Sequence, residues 1–138
     1  MAKTGKQIQG DIYRLLKEST LCSVISGNVY REGCRPRDSR LEDAVVIFTA
    51  GLHDQIQTGT VTVNVYVPGI DPYDNGIVIE DGQRCEEIET YAQAWVSDIS
   101  ESVNTYSFEL GSTIHTAWDE DIRQSFVVIK LLYSLFEG

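Results

Sequence analysis

The chain has 138 residues, of which 42% are hydrophobic, and a formal net charge of −10. One domain with a real core is the expectation for that length and apolar content, which argues against wholesale disorder. The acidity argues against non-specific binding to a nucleic-acid backbone and otherwise favours solubility, and apolar runs of only a few residues give no membrane span.

Lys3 and Lys6 precede a helical pattern with polar residues inside it, which is not a secretory leader. Over residues 7–18, Ile8, Ile12, Leu15 and Leu16 form one narrow apolar stripe, with Thr4 placed to cap the start. Residues 21–30 have strand character broken at Ser26-Gly27-Asn28, so a short strand is expected near 27–31.

Residues 31–43 read as a loop carrying Arg31, Arg35, Arg37 and Arg40, four of the eleven basic residues of the chain. Such a local reversal of sign suits docking onto a carboxylate-rich surface, because the planar guanidinium holds carboxylates bidentately. Neutralisation within the loop by Glu32, Asp38, Glu42 and Asp43 is the competing reading. Residues 44–52 and 56–67 then read as two strands. In the second, Val61, Val63, Val65 and Val67 alternate with Thr62, Asn64 and Tyr66, giving one buried and one wetter face. A short link over 53–59 predicts an antiparallel hairpin, ended by Pro68.

Residues 68–84 are long for a connection and predict a functional or mobile loop. Asp71, Tyr73, Ile77 and Ile79 are its candidate partner contacts. Residues 84–102 give the clearest helix, with Ile88, Tyr91, Ala92, Trp95, Val96 and Ile99 on one face. Glu86, Glu87 and Glu89 lie near its start and are candidate counterparts for the arginine loop of a neighbouring copy. Residues 105–110 alternate as a strand, 112–117 read as a poorer strand or part of a long link, and 118–121 make a turn. Residues 124–136 are read as a closing strand, with a helix as the alternative for so apolar a run. The predicted order is α-β-β-β-α-β-β: an α+β domain with a mostly antiparallel sheet and two helices packed on one face.

Chemistry-bearing motifs are sparse. His53 and His115 are 62 positions apart, and Cys22, Cys34 and Cys85 include no CxxC, so no metal or cofactor is expected and the thiols read as reduced. Asp71, Asp74, Asn75 and Gly76 lie in a calcium-loop-like run. However, Tyr73 and Gly82 occupy positions where a calcium loop needs oxygen ligands. Glu42 with Asp43 and Asp119 with Asp121 are carboxylate pairs, but adjacency alone makes no acid–base pair. A Cys–His pair meeting only in space stays open. The expectation is a non-enzyme.

The element order resembles the tail terminator, or tail-completion, proteins of long-tailed bacteriophages and prophages, with residues 27–30, 35–43 and 64–68 carrying the likeness. The resemblance implies a structural virion protein that forms a homohexameric ring, ends the tail tube and joins it to the head-side connector. DNA would cross its lumen without being gripped. It also implies synthesis in a bacterial cytoplasm and residence in the virion. Two alternatives are a head-completion or neck connector protein, and a small-molecule-binding or catalytic domain with residues 68–84 as a lid.

Overall fold

In a computed structural model that describes residues 2–136, three helices and six strands run in the order α1 (Gly5–Lys17), α2 (Thr20–Val24), β1 (Val29–Arg31), β2 (Ala44–Leu52), β3 (Gln57–Pro68), α3 (Gly82–Ser102), β4 (Tyr106–Leu110), β5 (His115–Asp119) and β6 (Gln124–Leu135). The fold is α+β. All six strands join one sheet in the order β1-β2-β3-β6-β4, with β5 also on β6. The pairings are antiparallel except β1 with β2, which is parallel.

The β3–β6 ladder is the spine. It runs in unbroken register from Gln57↔Leu135 to Pro68↔Gln124, about 40 Å of paired strand at the usual rise per residue. Its alternation sorts the two faces. Val61, Val63, Val65, Val127, Ile129 and Leu131 are fully buried, while Thr60, Thr62, Tyr66 and Phe126 on the opposite face are half-exposed. Ile8, Ile12 and Leu16 of α1, Leu21 of α2 and Ile88, Ala92 and Trp95 of α3 pack into one cluster with that valine face. The closing run 124–135 is a strand because a helix would have scattered its apolar alternate positions around its circumference instead of aligning them with β3.

Several expectations needed correction. There are three helices, not two: residues 20–24 form a helical turn because the Ser19 side chain accepts from the Cys22 N–H, so local capping overrides the β-branched composition there. The first helix begins at Gly5, where Thr4 and Gln7 close a capping box. The hairpin link shrinks to 53–56, with β3 already begun at Gln57. Trp118 and Asp119 lie in β5 rather than in a turn; the chain reverses afterwards, where Arg123 takes a positive φ of 54°. α3 begins at Gly82 with Asp81 as its cap, which puts Glu86, Glu87 and Glu89 beyond the first turn, where the helix dipole helps them less.

Gly27 is a steric requirement. A Cβ there would fall 2.0 Å from Asp43 Oδ1 and 2.6 Å from the Glu42 carbonyl oxygen. Its N–H donates to that carbonyl at 2.9 Å, which draws the start of β1 against the start of β2.

Candidate functional site

The sheet gives the molecule two poles. At one, the 53–56 turn presents Leu52 and Ile56, 72% and 48% exposed, beside Phe136. At the other, β3 ends at Pro68, β6 begins at Gln124 and the segments 32–43, 69–81 and 120–123 converge. Both loops singled out in the sequence therefore lie at this second pole.

The 32–43 segment is pinned from within. Asp43 is fully buried. Its Oδ2 accepts from Arg35 Nε at 2.9 Å and from Ser39 Oγ, and its Oδ1 accepts from the Asn28 N–H at 2.9 Å. Arg35 also donates to Gln124 Oε1 at 2.8 Å and lies 4.0 Å from the ring centroid of Tyr66. A guanidinium stacked on a tyrosine, bonded through Nε to a buried carboxylate and through Nη2 to Gln124, is a structural clamp between the loop, β3 and β6.

Arg31 donates to Gln9 Oε1 and the Lys6 carbonyl on α1, and Arg40 to the Ile122 carbonyl. Of the four loop arginines, Arg31, Arg35 and Arg40 thus hold the chain's own elements together, while Arg37 is exposed without a described partner. For Arg35 the geometry favours the alternative of neutralisation within the loop, because Asp43, set in a polar run, is a core residue.

The acidic candidates divide similarly. Glu42 is forked by Arg84 at 2.7 and 2.9 Å. Burial alone would raise its carboxyl pKa, but the Arg84 hydrogen bonds and the Ser26 N–H outweigh that and hold it below the usual glutamate range. Glu87 lies 3.6 Å from Arg84, and Glu89 accepts from Thr116 Oγ1 at 2.6 Å. Glu86 is exposed. Arg84, missed in the sequence reading, thus ties the 32–43 segment to the start of α3.

The 69–81 loop is closed at its base. Ile70 and Ile79 exchange backbone hydrogen bonds at 2.8 Å each, and the Asp71 carboxylate accepts from the N–H groups of Asn75 and Gly76. Asp74 and Gly76 take the left-handed conformation that this turn needs, with φ of 51° and 80°. Asp71 therefore organises the turn. Beyond it, Tyr73 and Ile77 are 76% and 62% exposed, and Ile70 and Ile79 are each 39% exposed. Four exposed or half-exposed apolar side chains thus share one short loop.

Among the described residues, no three His, Cys, Asp or Glu side chains gather as a metal would require, and no helix is long and apolar enough to cross a membrane. No protein-family model matches the chain, and no curated protein matches it as a relative.

Proposed function

We propose that this chain is a ring-forming structural subunit of the tail-terminator kind, ending the tail tube of a long-tailed phage or prophage and joining it to the head-side connector. One observation carries the reading: two different apolar surfaces stand at opposite ends of a rigid sheet, Leu52 and Ile56 at one pole and Tyr73 and Ile77 at the other. A protein that joins a tube to a connector needs two unlike faces set apart along one axis. The β3–β6 ladder supplies the separation. In this reading the protein resides in the virion, its copies close a homohexamer through unlike lateral patches, and the 69–81 loop orders fully against a partner.

The test is electron microscopy of the protein, concentrated alone and mixed with its tail tubes. Rings or capped tubes are expected. Ile77→Asp with Tyr73→Asp should keep the fold, since both side chains are exposed, and lose one of the two joints. Turnover or tight binding of a small ligand without rings or capping would overturn the reading.

A further inference from the structure

The sheet has two lateral edges of opposite electrostatic character. At the β1 edge, a recess of about 490 Å³ is lined by Lys3, Lys6, Gln7, Gly10, Asp11, Arg14 and Arg31. Four cations against one carboxylate is a sharp local reversal in a chain of net charge −10. Gly10 forms part of the floor: a Cβ there would meet Arg31 Nη2 at 3.2 Å and Arg14 Nη1 at 3.5 Å, so both guanidinium groups cross directly over the glycine.

Lys3 and Arg14 share Asp11. Arg31 is different. It is half-buried, and its described partners are neutral: the Gln9 amide oxygen and the Lys6 carbonyl. Among the described residues no carboxylate forms an ion pair with Arg31 or Lys6. A half-buried guanidinium fixed by neutral partners, beside an open recess, is a site that an incoming carboxylate completes.

The opposite edge supplies one. Beside β4 and β5, a second recess of about 400 Å³ is lined by Glu86, Glu89, Thr90, Gln93, Leu110, Thr113 and Ile114, with no cation. Glu86 has no described partner, while Glu89 is held by Thr116. α1 packs on β1 and β2, with Asp11 reaching across to accept from Tyr106 of β4, whereas α3 packs on β3, β4, β5 and β6. Arg31 stands on the β1 edge and the Glu86 recess beside β4 and β5, so these two charges belong to opposite edges of one sheet. Unlike patches on opposite edges give a heterologous contact that a rotation can close into a ring. A nucleic-acid backbone fits less well, because the acidic remainder of the surface would repel it.

We infer that the Lys6–Gly10–Arg14–Arg31 recess is the lateral docking site for a second copy of this chain and receives the Glu86 carboxylate at the α3–β5 edge of that copy. The inference rests on the ring reading and gives it a specific pairing, carried by the α1–β1 cleft rather than by Arg35 and Arg37.

The test is zero-length carbodiimide cross-linking of a mixture of ¹⁴N- and ¹⁵N-labelled full-length protein at assembling concentration, read by mass spectrometry. Mixed-isotope Lys6–Glu86 links are expected, falling several-fold at 0.5 M salt, where charge interactions are screened to about 4 Å. Lys6→Glu with Arg14→Glu, both on the exposed face of α1, should abolish assembly. Lys6→Glu mixed with Glu86→Lys should restore both assembly and a reciprocal link. Rings that form with links elsewhere, or that survive Lys6→Glu with Arg14→Glu, would overturn this pairing and leave the ring reading standing. Failure to assemble alone or on tubes would overturn both. Perturbation of the Gly10 and Arg31 amide resonances by a DNA duplex, without copy–copy links, would reassign the recess to a phosphate backbone.

Discussion

Arg35→Ala should be the most damaging single substitution among the loop arginines, although the residue looks like an ordinary loop charge. It removes the guanidinium from Asp43, which is fully buried, while the Arg35 side chain is itself only 12% exposed. The carboxylate would keep the Asn28 N–H and the Ser39 hydroxyl and lose its cation, the one paired with it among the described residues. Breaking a buried pair from one side costs about 3–5 kcal/mol, because the remaining charge stays desolvated. The lost hydrogen bond to Gln124 and the stack on Tyr66 place the expected value in the upper half of that range. Against a total stability of about 5–15 kcal/mol, this is a large fraction. In urea unfolding followed by far-ultraviolet circular dichroism, the midpoint should fall by about 2 M at a slope near 2 kcal/mol/M. Arg37→Ala, lacking any such partner, should stay within about 0.5 kcal/mol of wild type. Asp43→Asn combined with Arg35→Ala should cost less than the sum of the two single changes. A loss under about 1 kcal/mol for Arg35→Ala would refute the clamp.

Acid should weaken the fold through Glu42. Its folded pKa lies below the ordinary 4.5, so its contribution is complete above pH 4.5 and is lost as the pH falls through the folded value. Glu42→Gln should therefore flatten the fall in stability between pH 5 and pH 3, and an unchanged slope would contradict the pairing. Thiol titration should distinguish the cysteines: Cys34 is exposed and should react at once, whereas Cys85, buried and with its thiol pushed up to about 11, should react only on unfolding. Limited proteolysis of the free protein should cut first within 71–77, where every residue is exposed, and assembly should suppress that cut; equal cutting in both states would count against a contact role for the loop.

The long periodic elements were legible in the sequence because a single alternation set each of them. Val61 to Val67 and Val127 to Leu135 each declare one buried face, and their register then follows from matching those faces. Ile88, Ala92 and Trp95 did the same for α3. The second pole was legible only in part. The loops could be found by composition, but the fate of their charges could not. Asp43 follows Glu42 in a polar run, yet one is fully buried beneath Arg35 and the other bridges to Arg84, 42 positions away. Pairings at that separation leave no local period. The helical turn at Thr20–Val24 was hidden for the opposite reason, since its capping serine signals more weakly than the β-branched residues after it. Gly27, which read as a break in a strand, is the close approach that lets β1 start beside Asp43.

The most direct test of the account is a tube-growth assay. Tail-tube protein of the phage or prophage that the proposed function implies would be polymerised with increasing amounts of this chain, and tube lengths and ends would be measured by electron microscopy. A tail terminator should shorten the tubes as it is added and leave a ring at one end only. Ile77→Asp with Tyr73→Asp should either restore long tubes or leave capped tubes unable to join the connector. Tubes of unchanged length with bare ends at excess wild-type chain would contradict the account.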